Sequence, residues 1–304
     1  MGYSFISYSN QYVIELPQHH IFPMEKYELI KEQLLYRNVV RKESFFEPPV
    51  CPDEIVHLTH SKEYTYRLKN NLLSTTEIRR IGFPFSETLV KRCYTSTMGT
   101  VLCAKIAMDI GISFNIAGGT HHSFFDKEEG FCLLNDIAVA ANWLLHQKIV
   151  KKILVVDLDV HQGNGTAKIF YNNDNVFTFS MHSQDNYPLK KEKSNLDIGL
   201  KAHTNDDTYL NLLRTVLPKL LDTQKPNIIF YQSGVDVLET DLLGKLSLTI
   251  KGCKERDCIV FEQAQKRNIP IVVTMGGGYS KKLSDTVDAH FNCISTGIEI
   301  YNLN

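Results

Sequence analysis

The sequence predicts a single α/β domain, residues 1–304, in which helices cover both faces of a mainly parallel central β-sheet. Short apolar segments alternate with longer segments that carry apolar residues at helical spacing, which is typical of consecutive βαβ units. Residues 153–156 form an uninterrupted apolar run bounded by charge, as expected for a strand buried on both faces. No repeat, low-complexity segment or Pro/Gly/Ser-rich linker divides the sequence, so one domain is the simplest prediction.

The first third of the chain is predicted to be mostly helical. Pro48 and Pro49 interrupt the pattern after the first helix, and Gly111 is a suitable C-cap for the last one. Apolar spacing predicts a short strand at 12–16 and helices at 24–37, 53–73 and 88–110.

From residue 113 onwards, strands and helices alternate. This order predicts parallel strands, because each helix carries the chain back to the start of the next strand. The predicted strands are 113–117, 153–159, 176–181, 227–232 and 270–275. The helices between and after them are 131–146, 166–171, 206–221 and 253–267.

Composition excludes several classes of protein. Hydrophobic residues make up 43% and charged residues 22% of the 304 positions, as in water-soluble globular domains. A net charge of −1 implies no general attraction to nucleic acid or anionic membranes, so we expect no direct nucleic-acid binding. No apolar stretch approaches the roughly 20 residues of a membrane span, and the N-terminus lacks a signal-peptide pattern. Seven cysteines without a CxxC pair favour reduced thiols and a cytoplasmic location, or a nuclear one in a eukaryote.

The segment 152–165 carries the most informative polar residues. The buried strand ends in Asp157, Asp159 and His161 at a spacing of two, so on an extended chain they share one face. Carboxylate and imidazole groups that close together can hold a divalent cation. The alternative is a buried acidic pair that caps the following helix.

Other polar residues follow neighbouring strands. In an open parallel sheet the carboxyl ends of the strands lie at one edge, where ligands bind. We therefore expect residues far apart in sequence to meet in one pocket. They are His121 and His122 after the first of these strands, Asp157, Asp159 and His161 at the end of the second, Asp236 after the fourth and Tyr279 after the fifth.

Each of these residue types has a chemical role to fill. Asp159, His161 and Asp236 would give a metal three protein ligands and leave a position open for water, as in catalytic sites. Such a metal lowers the pKa of water and polarises a carbonyl group.

The histidine pair and the tyrosine complete the predicted chemistry. The pair His121-His122 supplies a general base and an electrostatic partner. Asp157 and Asn164 are both candidates to hold the second ring nitrogen of a histidine. Tyr279 lies on a glycine turn and could donate a hydrogen bond to a developing oxyanion.

Taken together, these motifs resemble one family. The sequence is similar to the zinc-dependent histone deacetylases of the arginase–deacetylase superfamily, and most like the class IV branch of small single-domain members. The resemblance implies the arginase/deacetylase fold. The motifs, in the order of the family across residues 50–285, are GGTHH (118–122), GFC (130–132), DLDVHQGNG (157–165), FTFSMH (177–182), GVDVLETDLLGKLSLT (234–249) and GGGY (276–279).

The resemblance implies roles for individual residues. Zinc, or alternatively ferrous iron, would be bound by Asp159, His161 and Asp236. The implied general base is His122, paired with Asn164, which stands where class I members carry Asp. The implied electrostatic partner is His121, paired with Asp157, and the carbonyl polariser is Tyr279. A structural potassium ion would lie near Asp157, Asp159, His161, Ser180 and Met181, and Phe131 and Tyr187 would line the substrate channel.

The predicted activity is hydrolysis of the acyl amide of an N6-acyl-lysine in a protein or peptide, with an acetyl or a longer acyl group. An acetylpolyamine deacetylase would use the same site. A ureohydrolase with two manganese ions would need further bridging carboxylates, whereas Gln162 follows His161 here. A module that binds acyl-lysine without cleaving it is the alternative from outside the enzymes.

Overall fold

The computed structural model describes residues 4–303. Within this range the centre of the molecule is an eight-stranded sheet in which every neighbouring pair is parallel. The strands are β1 (Ile6–Ser7), β2 (Phe45–Phe46), β3 (Ile112–Asn115), β4 (Ile153–Asp157), β5 (Val176–Ser183), β6 (Leu196–Leu200), β7 (Ile228–Gln232) and β8 (Ile271–Thr274). Their order across the sheet is β2-β1-β3-β8-β7-β4-β5-β6.

Helices connect the strands and cover the sheet. Two short 3₁₀ helices, Asn10–Tyr12 and Lys42–Ser44, lie near the N-terminus. The α-helices are α1 (Lys26–Tyr36), α2 (Asp53–Val56), α3 (Lys62–Lys69), α4 (Thr75–Ile81), α5 (Glu87–Ile110), α6 (Asp136–His146), α7 (Asn164–Ile169), α8 (Asp206–Gln224), α9 (Ile250–Gln265) and α10 (Leu283–Tyr301). None of the helices in 4–303 combines the length and apolarity of a membrane-spanning segment.

Both faces of the sheet are buried, which confirms the predicted α/β architecture. Leu154 and Val156 of β4 belong to one apolar cluster, together with residues of α8, α9 and α10. Ile153 and Val155 of the same strand belong to a second cluster, together with α6. Successive residues of a strand point to opposite faces, so an unbroken apolar run is what a strand between two helical layers requires.

Helix ends follow the capping chemistry of the sequence. Ser86 accepts a hydrogen bond from the Leu89 backbone N–H at the start of α5. Gly111 ends the same helix at φ 93°, a conformation that favours glycine, and its N–H bonds to the Ala107 carbonyl. Asn135 caps α6 in the same way through the Ala138 N–H.

Several predicted boundaries were wrong. The strand predicted at 12–16 does not form, because Ser9 caps a 3₁₀ turn and Tyr12 turns inward to hydrogen-bond Ser7. The helix predicted at 53–73 is divided into α2 and α3, since Ser61 caps a new helix. The helix predicted at 131–146 begins only at Asp136, because Phe131 has φ 65°.

The topology explains how the polar segments meet. Strands β3, β8, β7 and β4 are direct neighbours in the middle of the sheet. The predicted polar segments follow the carboxyl ends of these four strands. Because all four strands are parallel, the segments emerge at the same edge.

Candidate metal and catalytic site

A cavity of about 320 Å³ opens at this edge of the sheet. Asp157 and Asn164 lie behind the cavity wall, where each contacts a histidine. Ser180 and Met181 lie on β5 beside the strand that leads to the site. The cavity lining includes the predicted site residues His121, His122, Phe131, Asp159, His161, Tyr187, Asp236 and Tyr279.

Three ligating side chains converge on one point. Asp159, His161 and Asp236 are buried and offer ligand atoms that all lie within 4.8 Å of one another. His161 Nδ1 lies 3.2 Å from both Asp159 Oδ1 and Asp236 Oδ2. Two carboxylates and an imidazole at this spacing could hold a metal ion.

Backbone N–H groups fix the two carboxylates. The Val160 N–H donates to Asp236 Oδ1 at 2.9 Å, and the Gly277 N–H donates to Asp159 Oδ2 at 2.8 Å. A Cβ at Gly277 would collide with Asp236 Oδ2, so the glycine turn after β8 allows the backbone to approach the carboxylates. Gly277 is therefore explained by packing around the two acids.

The charge balance of the cluster favours a cation. Burial and the neighbouring Asp159 raise the pKa of Asp236 to about 7. Burial disfavours charge on His161, but its hydrogen bonds to Asp159 and Asp236 outweigh burial and raise its pKa to about 10. The two acids thus draw positive charge into the space between them, which a divalent ion would supply. The donor set fits such an ion.

Each histidine of the pair is held by a different acceptor. His121 Nδ1 lies 2.7 Å from Asp157 Oδ2, and His122 Nδ1 lies 2.7 Å from Asn164 Oδ1. The two imidazole rings are 4.2 Å apart, centroid to centroid. Both rings therefore present Nε2 away from their partners.

The electrostatic environments of the two histidines differ. Burial lowers the pKa of His121, but Asp157 and Asp159 outweigh burial and raise it to about 9. Burial, together with His121 and His161, lowers the pKa of His122 well below its ordinary value. The pair thus combines one imidazole that favours the charged form with one that favours the neutral form, a division expected of an acid–base pair.

Aromatic side chains form the walls of the cavity. The ring centroid of Phe131 lies 5.9 Å from that of Tyr279 and 5.3 Å from that of Phe22. The ring of Tyr187 lies 5.1 Å from His122. Burial, followed by Asp236 and Asp159, raises the pKa of Tyr279 well above its ordinary value. The phenol is therefore a hydrogen-bond donor at neutral pH.

Two buried cations that the sequence pattern did not reveal, Lys26 and Arg92, lie close to these walls. Lys26 is fully buried, with Nζ 3.5 Å from the carbonyl oxygens of Gly276 and Gly278, and burial lowers its pKa to about 8. Arg92 is buried, lines the cavity and donates from Nη2 to the Tyr27 hydroxyl at 2.9 Å. Both lie in helices whose other charged residues are at least partly exposed, so spacing alone gave no signal.

A third buried cation connects the loops that carry the metal ligands. Arg256 on α9 donates from Nη1 to the carbonyls of Gly234 at 2.6 Å and Leu158 at 3.2 Å. Its charge is balanced by Asp257, whose Oδ1 lies 2.8 Å from Arg256 Nη2 and 2.5 Å from the Tyr231 hydroxyl. Leu158 precedes Asp159, and Gly234 lies two residues before the third ligand, so this arginine joins the two ligand loops.

Replacing Arg256 with Met should lower the free energy of unfolding by about 3–5 kcal/mol, because Asp257 then stays buried without its cation. The double variant Arg256→Met/Asp257→Leu should recover part of this loss, since no unpaired charge remains. Urea denaturation monitored by fluorescence measures both. Arg267→Met, which breaks a surface pair with Asp222, is the control and should leave the midpoint nearly unchanged. Equal loss in the single and double variants would contradict the ion-pair argument.

Comparison with known proteins gives the family. The sequence profile of the histone deacetylase domain matches residues 20–294. An uncharacterized protein of Picosynechococcus sp. is 40% identical over 290 residues, which cover 95% of this chain and 96% of that protein. Histone deacetylase 2 of Arabidopsis thaliana is 28% identical over 289 residues, covering 91% of this chain and 74% of that protein.

Two further comparisons concern a longer relative and a solved structure. Human histone deacetylase 1 is 29% identical over 287 residues, and the match covers 86% of this chain but only 58% of the human protein. The crystal structure of the HDA15 HD domain superposes with a TM-score of 0.80 at 18% identity, covering 98% of this chain and 94% of that domain. That likeness shows the shared fold. Because the histone deacetylase domain profile matches most of the chain, the chain belongs to the histone deacetylase family.

Proposed function

We propose that this protein is a zinc-dependent amidohydrolase that removes the acyl group from N6-acyl-lysine in proteins or peptides. The observation that carries the proposal is the buried cluster of Asp159, His161 and Asp236, which shares one cavity with a histidine pair and a tyrosine. Membership of the histone deacetylase family supports the substrate class.

The proposed metal site is the Asp159–His161–Asp236 cluster. Zinc accepts this mixture of carboxylate and imidazole ligands, and three protein ligands leave room for substrate and water; ferrous iron is the alternative ion. Bound there, the ion would polarise the acyl carbonyl and lower the pKa of the attacking water.

The protein groups around the cluster perform the proton transfers. The Nε2 atom of neutral His122 takes a proton from the attacking water as the carbon–oxygen bond forms. The Tyr279 hydroxyl donates a hydrogen bond to the oxygen that becomes negative. Protonated His121, balanced by Asp157, stabilises this charge. As the carbon–nitrogen bond breaks, a protonated histidine returns the proton to the lysine amine, and the products are free lysine and a carboxylate.

The channel and a second ion are further parts of the proposal. Phe131 and Tyr187 give the cavity aromatic walls that suit the methylene chain of an acylated lysine. A structural potassium ion near Asp157, Asp159, His161, Ser180 and Met181 is also part of the proposal. The β4–β5 register supports it, because Asp157 pairs with Ser180, which precedes Met181. The class IV affiliation and the cytoplasmic location, both predicted from sequence, remain parts of this proposal.

The test is a panel of acyl-lysine peptides, from acetyl to myristoyl, together with acetylspermidine. The zinc-loaded protein should hydrolyse at least one peptide, lose this activity with a chelator and recover it with added zinc. The His122→Ala variant is the inactive control. Preference for acetylspermidine would reassign the protein as a polyamine deacetylase. Binding without hydrolysis of any peptide by metal-loaded protein would identify an acyl-lysine-binding module.

A further inference from the structure

Glu129 lies at the centre of a hydrogen-bond network beside the histidine pair. Its Oε1 accepts from Asn164 Nδ2 at 2.9 Å and from the Tyr187 hydroxyl at 2.8 Å. Its Oε2 lies 3.3 Å from Lys127 Nζ, and the glutamate side chain is only 15% exposed. One carboxylate thus contacts both the partner of His122 and a wall of the cavity.

A tight turn holds Glu129 in this position. The backbone N–H of Glu129 donates to the Cys132 carbonyl, and the Cys132 N–H donates back to the Glu129 carbonyl, at 3.0 and 2.9 Å. Gly130 has φ 51°, and a Cβ there would lie 2.9 Å from His122 Cδ2. Only glycine lets the turn approach the imidazole this closely, so the backbone leaves Glu129 little freedom to move away.

The network determines which way the Asn164 amide faces. A carboxylate can only accept hydrogen bonds, so Asn164 must direct its NH₂ group to Glu129. Its carbonyl oxygen then faces His122 Nδ1, 2.7 Å away. Because that oxygen also only accepts, His122 must carry its proton on Nδ1, and Nε2 keeps the lone pair that a general base requires.

Without Glu129 this constraint disappears. An asparagine amide has a donor end and an acceptor end of nearly the same shape, so it can also turn its NH₂ group toward His122. In that orientation Nδ1 becomes the acceptor and the proton moves to Nε2, which removes the base. An aspartate at the same position could not direct a donor at His122, because both of its oxygens accept hydrogen bonds.

We propose that Glu129 is a positioning residue that fixes the Asn164 amide and thereby the catalytic tautomer of His122. This inference rests on the proposed function at one point: the His122 tautomer affects hydrolysis only if His122 is the general base. The hydrogen bond from Tyr187 gives Glu129 a second task, since it holds the aromatic wall next to the same imidazole.

The first readout is kinetic. Glu129→Ala should lower kcat by about 10–100-fold. This is the usual loss of activity when a hydrogen-bond partner that orients an active-site side chain is removed. The double variant Glu129→Ala/Asn164→Asp should have a kcat at least about tenfold higher than that of Glu129→Ala. The carboxylate introduced at position 164 has no N–H group to direct at His122. In the parent, Asn164→Asp should instead slow the enzyme, since two carboxylates would then face each other. Lys127→Ala is the matched control and should change kcat by less than about twofold.

The second readout is the tautomer itself. Nitrogen-15 chemical shifts of zinc-loaded, histidine-labelled protein distinguish a protonated Nδ1 from a protonated Nε2, and the His122→Asn spectrum assigns the signals. The parent should show His122 protonated on Nδ1, and Glu129→Ala should show Nε2 protonation in part or in full, with unchanged circular dichroism.

The outcomes separate this inference from the proposed function. An unchanged tautomer in Glu129→Ala, or a double variant as slow as Glu129→Ala, would overturn the positioning role even if the parent hydrolyses acyl-lysine. A tautomer that changes as expected in a protein without hydrolytic activity would support the positioning role and contradict the proposed function.

Discussion

Replacing Asp159 with Ala should yield a protein that no longer retains its divalent ion and has no measurable acyl-lysine hydrolysis. Asp159 is one of three ligating side chains in the buried cluster, and it also accepts hydrogen bonds from the backbone N–H groups of His161 and Gly277. With it removed, only Asp236 and His161 remain, and two ligands do not make a site that retains zinc. The loss of turnover should therefore exceed that caused by removing a single hydrogen-bond donor from the cavity.

Two measurements check this prediction without relying on activity. Elemental analysis should find bound zinc in the parent and almost none in Asp159→Ala. Zinc should also raise the unfolding temperature of the parent but not of the variant, because a ligand stabilises only the folded state that binds it. Asp222→Ala, at an exposed ion pair on α8, is the control and should bind zinc like the parent. Retention of one zinc per chain by Asp159→Ala would contradict the ligand assignment.

The order of strands and helices could be predicted where burial imposes a strong pattern. β4 and β7 lie in the middle of the sheet and are buried on both faces, so each begins with a continuous apolar run. The edge elements gave weaker signals. β1 and β2 are two residues long, and β6 is half-buried with Gly199 within it, which resembles a loop in sequence. α10 was missed although it packs closely on α9.

One rule predicted part of the site from the sequence: residues that follow parallel strands meet at the same edge of the sheet. That rule was enough to select six residues of the cavity lining, because the strands before them are neighbours: His121, His122, Asp159, His161, Asp236 and Tyr279. The aromatic wall residues Phe131 and Tyr187 came from the family resemblance instead. The rule could not find Arg256 or Glu129. Arg256 and Asp257 look like surface charges on a helix, and their burial depends on the contact with β7. Glu129 follows another acid in a charged stretch, and its meaning appears only when Asn164 is placed next to it.

Replacing Tyr279 with Phe should lower kcat by about 10²–10³-fold, the range found when a single oxyanion donor is removed. The backbone of Tyr279 is held by Asp241, whose Oδ2 accepts from its N–H at 2.6 Å. Its ring packs against Phe22 and Phe131, and a phenylalanine would keep these contacts. The substitution therefore removes the hydroxyl donor and little else.

The kinetic pattern distinguishes this role from metal binding. If the Tyr279 hydroxyl acts only on the transition state, kcat and kcat/KM should fall together while KM and zinc content stay near those of the parent. Tyr301→Phe is the matched control, since within residues 4–303 the Tyr301 hydroxyl oxygen is buried without a hydrogen-bond partner. A rise in KM with kcat unchanged would instead place Tyr279 in substrate binding. Loss of zinc in Tyr279→Phe would show that the substitution disturbs the metal ligands. The disturbance would act through the glycine turn before Tyr279, because the Gly277 N–H donates to Asp159.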